Sequence, residues 1–136
     1  MNYWLIKSDP ETYDWKDLVR DGGTRWDGVR NAQARIFLRT MKKGDQALFY
    51  HSQTDKAVVG VVRITATAYP DPTDKEGKWV CVDIAPVEAW DTPVSIAVMR
   101  SKSLLKETLF LRQGRLSVSP LTKQEWECIQ ALRYAP

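Results

Sequence analysis

AVVGVVRITATAY, residues 57–69, decides how this chain folds. Valine, isoleucine, threonine and tyrosine fill it, and these residues fit a pleated, half-buried surface. Two similar runs flank it, QALFYHS at 46–52 and KWVCVDIAPVEAW at 78–90. Turn-forming stretches separate the three, SQTDK on one side and YPDPTDKEGK on the other. Consecutive apolar runs joined by such turns read as an antiparallel meander. Gly60, inside the middle run, marks a bulge or a close backbone approach.

Outward from the meander, NYWLIK (Asn2–Lys7) is a further short strand, stopped by Ser8-Asp9-Pro10. The residue before a proline is pushed to extended geometry, so Asp9 ends the strand instead of opening a helix. Asp14 caps a helical turn over Trp15–Arg20, which Asp21-Gly22-Gly23 breaks. Ala34, Phe37, Leu38 and Met41 recur at helical spacing, with Lys42 and Lys43 at the C-terminal end and Gly44 suited to the left-handed residue beyond. The stretch from Pro93 to Lys106 is ambiguous and contains one candidate helical turn, Ile96–Ser101. LFLR and RLSV (Leu109–Arg112 and Arg115–Val118) read as two short strands joined at Gln113-Gly114. Thr122 and Glu125 form a capping box for a last helix with Trp126, Ile129 and Leu132 on one face.

Five or six short strands with helices at the front, middle and end make an α+β, mainly β, fold: a partly closed barrel flanked by helices. Regular helical crossovers between strands are missing, which disfavours a long parallel sheet. At 136 residues the chain has the size of one domain, 1–136, and buries roughly two-thirds of its unfolded surface without a disulfide or metal staple. With 43% hydrophobic and 27% charged residues it has the composition of a soluble folded protein. MNYWLIKSDP lacks the apolar core of a signal peptide, and no apolar run approaches a membrane span. Cys81 and Cys128 match no metal-ligand spacing and read as reduced thiols. The expectation is a cytoplasmic monomer with no membrane contact, cofactor or metal. A net charge of +3 permits a phosphate-bearing partner without demanding one.

Catalysis finds little support. His51 is the one histidine, no nucleophile elbow or phosphate-cradling glycine loop is present, and Asp71 and Asp74 suit turn positions. Recognition is better served. Among six tryptophans, most belong in the core; Trp26, just before Asp27-Gly28, falls on a turn beside arginines and an amide. Such a ring can stack a base, and the same ring can also simply plug the end of a barrel. Arg35, Arg39 and Lys42 share one helix face, and Arg30 precedes them. That stripe suits phosphates and equally describes an ordinary solvated face. Arg100, Lys102, Lys106, Arg112 and Arg115 make a second, looser basic set.

YWLIKSDP, WDGVRNAQAR, MKKGDQALFYHS, VVGVVRITATAYPDPT, WVCVDI and RLSVSPLTKQEW follow one another in this order over nearly the whole chain. Together they resemble the EVE domain, a member of the PUA-like superfamily related to YTH and ASCH domains. The resemblance implies a PUA-like pseudo-barrel of five or six strands in a stand-alone, bacterial-type form. It implies further a non-catalytic reader of modified bases in DNA or RNA, with a flipped base entering a pocket beside the barrel. The matching positions are Lys7 and Ser8 at the first strand end, and Trp26, Gly28, Val29, Arg30 and Asn31 at the helix entry. Tyr50, His51 and Ser52 follow at the next strand end, with Tyr69, Asp71 and Pro72 on a loop and Arg115, Leu116 and Ser117 opposite. Asp9 stands where the family motif commonly has Glu, and Ala32 where an aromatic often follows Asn.

On this expectation Trp26 stacks on the base or cages a methyl group. Asn31 and Ser52, with backbone groups near Ser8 and Val29, bond the base edge. Arg30, Arg35, Arg39, Lys42 and Arg115 hold phosphates. A second class of function uses the same pocket for a nucleoside, another small molecule or a docking partner. A hydrolase centred on His51 and Asp71 ranks last.

Overall fold

The computed structural model describes residues 1–53 and 55–134; Thr54, in the expected SQTDK turn, lies outside them. The meander is present as β3 (Gln46–His51), β4 (Ala57–Pro70) and β5 (Val80–Ser95), paired antiparallel in sequence order. The first strand, β1 (Tyr3–Ser8), lies beside β3, and the two run parallel, with Lys7 opposite Tyr50 and Ser8 opposite His51. The edges are β2 (Thr24–Trp26), antiparallel to β5, and β6 (Val118–Leu121), antiparallel to β1. The order is β2-β5-β4-β3-β1-β6, so the six-stranded mixed sheet stays open between two edge strands. Register shifts interrupt the β4–β5 pairing at four places, and bulges of this kind bend a strand and sharpen its twist.

Helices cover both faces. On one side lie α1 (Trp15–Asp21) and α2 (Ala32–Thr40), whose Leu18, Ala34 and Leu38 meet Trp4, Ile6, Phe49, Ile64 and Val82 of the strands. On the other lie α3 (Ile96–Arg100), a 3₁₀ turn at Ser103–Leu105, α4 (Leu109–Arg112) and α5 (Lys123–Leu132). Their Met99, Leu105, Phe110, Trp126 and Ile129 pack on Leu5, Leu48, Tyr50 and Val61. Alternate residues of β1 therefore enter different cores: Trp4 and Ile6 one, Leu5 the other, as strand pleating requires. Among the described residues no helix is long and apolar enough to cross a membrane.

Gly60 is a close-approach position. A Cβ there would stand 2.6 Å from the Trp15 ring and 2.7 Å from the Glu88 carbonyl oxygen. Both capping motifs form: Asp14 with Asp17 opens α1, and Thr122 with Glu125 opens α5. The C-terminal region departs from expectation. LFLR is the helix α4, not a strand. Arg112 and Leu111 donate to the Thr108 carbonyl, and the buried Thr108 hydroxyl donates to Glu125 at 2.8 Å. Three apolar residues and an arginine carry no period that separates helix from strand, and burial of Phe110 selects the helix. RLSV is not a strand either; the pairing segment starts at its last residue and runs VSPL, with Pro120 tolerated because β6 is an edge.

Candidate nucleic-acid interface

Parallel pairing brings the C-terminal ends of β1 and β3 to the same end of the sheet. Ser52 fastens them: its N–H and its hydroxyl donate to the Ser8 carbonyl at 2.8 and 3.1 Å. Ser8 and Lys7, neighbours in sequence, point to different sides. The Ser8 hydroxyl donates to the Tyr13 carbonyl. The Lys7 ammonium donates to the Gly114 and Phe110 carbonyls at 3.0 and 3.4 Å.

On the Ser8 side is a hollow of about 530 Å³, within the roughly 300–1,000 Å³ range of small-ligand pockets. Trp26 and Tyr13 give it aromatic walls, and Lys7, Ser8, Thr24 and Asp27 give it polar ones. Trp26 ends β2 rather than sitting on a free turn. Its ring meets Phe49 edge-on at 5.6 Å and Tyr13 at 6.4 Å, so part of it is core and part lines the hollow. The two readings of Trp26, as plug and as wall, both describe it. Tyr13 is held by Asp21 at 2.9 Å, and burial together with that carboxylate pushes its phenol up.

Across the end of β1 lies a second hollow, of about 440 Å³, which shares Lys7 and is lined also by Tyr50, Ser52, Lys56, Arg100 and Phe110. The expected site residues thus divide: Lys7, Ser8 and Trp26 line the first hollow, and Lys7, Tyr50 and Ser52 the second. His51 lines neither and is buried. Its Nε2 accepts from the Trp15 N–H at 3.1 Å, so Nδ1 carries the proton and donates to Asp55 at 2.9 Å. Both ring nitrogens are engaged in holding α1 and the β3–β4 turn.

The helix entry forms a clip. The Asp71 side chain is 0% exposed and accepts from the Gly28 N–H at 2.8 Å, from Arg30 at 3.1 Å, and from the Thr73 N–H and hydroxyl at 2.8 and 2.6 Å. Burial alone would raise its carboxyl; the bonds from Thr73, Gly28 and Arg30 outweigh it and hold the carboxyl well below the usual range. Gly28 takes φ +79°, a left-handed conformation that favours glycine. Val29 is in the core, and Asn31 caps α2, its side-chain oxygen accepting from the Ala34 N–H at 2.9 Å. Arg35 donates to the Lys78 carbonyl at 2.9 Å and lies 4.7 Å above the Trp79 ring. Gly28, Val29, Asn31 and Asp71 therefore brace the neighbourhood, and neither they nor exposed Pro72 line a hollow. Tyr69 faces elsewhere, donating to Asp83 at 2.5 Å, while Ser117 accepts from the Lys7 N–H at 2.9 Å. Arg39, Lys42 and Arg115 are exposed.

The readings from sequence missed Tyr13, Thr24 and Asp27 in the first hollow and Lys56 in the second. Tyr13 carries no local signal, because its place depends on the chain folding back under Ser8. Lys56 has one, as the last residue of a polar turn before a strand.

In fold the chain resembles an ASCH protein of Zymomonas mobilis, with a TM-score of 0.59 at 11% identity over 96% of this chain and 94% of that one. That likeness is one of fold alone, an open sheet with flanking helices. A family model for the EVE domain matches residues 2–132, and the chain belongs to that family. Thymocyte nuclear protein 1 of Mus musculus is 39% identical over 166 aligned positions, covering 96% of this chain and 73% of the mouse protein. A crystal structure of human THYN1 protein in complex with DNA containing 5-methylcytosine superimposes with a TM-score of 0.93 at 32% identity, covering 100% of this chain and 99% of that one.

Proposed function

We propose that this protein is a non-catalytic reader of modified bases in DNA, taking the base into the Trp26 hollow. The observation that carries the reading is the half-buried Trp26 ring, fixed by Phe49 and lining a hollow with Ser8, Thr24 and Asp27. A ring held by the core needs no reordering to stack, and the polar groups around it suit the edge of a base. Extruding a base costs a few kcal/mol, and stacking on an aromatic returns about 1–3 kcal/mol, so edge contacts must contribute the rest. The human relative crystallised on 5-methylcytosine DNA supports this substrate class, since it shares the whole fold. The engagement of both His51 nitrogens in structural bonds favours binding over turnover.

The test is fluorescence anisotropy with duplexes differing by a single 5-methylcytosine. Trp26→Ala is expected to reduce affinity for the methylated duplex by about five- to a hundredfold and to abolish the preference over plain DNA. Trp26→Leu fills the space against Phe49 but offers no flat face, and should lose the preference while remaining folded. Retained preference in folded Trp26→Leu would sink the reading. Equal binding of free nucleoside and duplex would point to a sensor instead, and preference for RNA over DNA would change the partner.

A further inference from the structure

We infer that the second hollow, on the far side of Lys7, is an anion subsite that grips an internal phosphodiester of the nucleic acid whose base enters the Trp26 hollow; the inference rests on that reading. Lys7, Lys56 and Arg100 line the space together, and no described residue lining it carries a carboxylate. Among the described residues neither Lys56 nor Arg100 forms an ion pair, as is true of most lysines and arginines here; what sets these two apart is that they share one concave space with Lys7. Three like charges around one space repel one another, and the fold holds them there. Lys7 is tied to the Gly114 and Phe110 carbonyls and stands 5.8 Å from the Tyr50 and Phe110 ring centres. The Lys56 carbonyl accepts from the Ile96 N–H at 2.8 Å, which fastens Lys56 to the start of α3, the helix that ends in Arg100.

Two further details point the same way. Lys56 takes φ +47° and Gln53, which also lines the space, takes φ +64°. Left-handed backbone in non-glycine residues costs free energy and persists where the surroundings enforce it, often at ligand sites. Burial, and after it the charge of Arg100, lower the Lys7 ammonium from its ordinary value. A phosphate relieves that repulsion. Because Lys7 is a wall of both hollows, a nucleotide seated beside Trp26 has its backbone at the rim of this space.

Lys56→Gln and Arg100→Gln test the inference, measured with methylated and plain duplexes at several salt concentrations. Lys123→Gln, on α5, removes the same charge elsewhere and serves as control. Each of the first two should weaken both duplexes alike, by about three- to tenfold, and lower the salt slope by about one phosphate contact, with the methyl preference intact. A methylphosphonate replacing the phosphate next to the 5-methylcytosine should cut wild-type affinity and erase the difference between wild type and Arg100→Gln. Wild-type affinity and salt slope in both variants would overturn the subsite. So would a loss no greater than that of Lys123→Gln. Either result, with preference still lost in Trp26→Leu, leaves the base reading standing. Charge effects seen alongside an unaltered preference in Trp26→Leu would instead remove the base hollow and keep the anion grip.

Discussion

At the entry to α2, Arg30 lies 3.1 Å from the Asp71 carboxylate, and Arg35 is spent on the Lys78 carbonyl and the Trp79 ring. Across the sheet, Lys56 and Arg100 line a space with Lys7 and, among the described residues, with no carboxylate on its walls. In sequence the first group looks the better phosphate site, since its arginines are clustered and helically spaced. In the fold it is largely a brace. Helical spacing does not show which of these charges the fold already pairs or stacks.

The largest expected effect falls on the brace itself. Asp71→Ala removes the acceptor of four of the clip's hydrogen bonds and should cost about 3 kcal/mol in urea denaturation, since hydrogen bonds to a buried charge are each among the stronger ones. A loss below about 1 kcal/mol would mean that the clip does not hold the α2 entry. The same group sets an acid limb. Its folded carboxyl sits below the ordinary range, so its contribution is full above about pH 4, where the unfolded side chain ionises, and is lost as pH falls further. Asp71→Asn should therefore be less stable at neutral pH and lose less than wild type between about pH 4 and pH 2. Equal acid limbs in the two proteins would show that other carboxylates govern that range.

Arg35→Ala comes next, with about 1 kcal/mol of stability lost with the Trp79 contact and duplex affinity within about twofold of wild type. A large affinity loss would return α2 to the phosphate track. Arg39→Ala should have the smallest effect: Arg39 is exposed, so the melting temperature should stay at that of wild type, and it lines neither hollow, so binding should fall by less than about twofold. A loss matching that of Arg100→Gln would place both regions on the nucleic acid.

The meander was legible because its strands are long and rich in β-branched residues, and the helices because caps such as Thr122 with Glu125 are local chemistry. TRW was not, because three residues cannot display an alternation, and its pairing with β5 is a long-range event. LFLR failed for a related reason: its helical state depends on Thr108, Glu125 and the core around Phe110. For the site, the resemblance selected a neighbourhood, and Lys7, Ser8, Trp26, Tyr50 and Ser52 do line its hollows. It could not separate walls from braces. Val29, Asn31 and Asp71 look like Trp26 in a string of letters, yet their side chains are turned to core, cap and clip.

The parallel pairing of β1 with β3 has one more consequence. Two neighbouring strands that run the same way need a long connection to return the chain to its starting end, and here Asp9 to Asp45 supplies it. That excursion carries Tyr13, Thr24 and Trp26, whereas Lys7 and Tyr50 come from the sheet, Lys56 from the β3–β4 turn and Arg100 from α3. The proposed base hollow thus takes its aromatic walls from one stretch of chain and the proposed anion subsite its other cations from elsewhere, with Lys7 of β1 common to both. Substitutions within the excursion can retune which base is accepted while the grip on the strand is inherited unchanged.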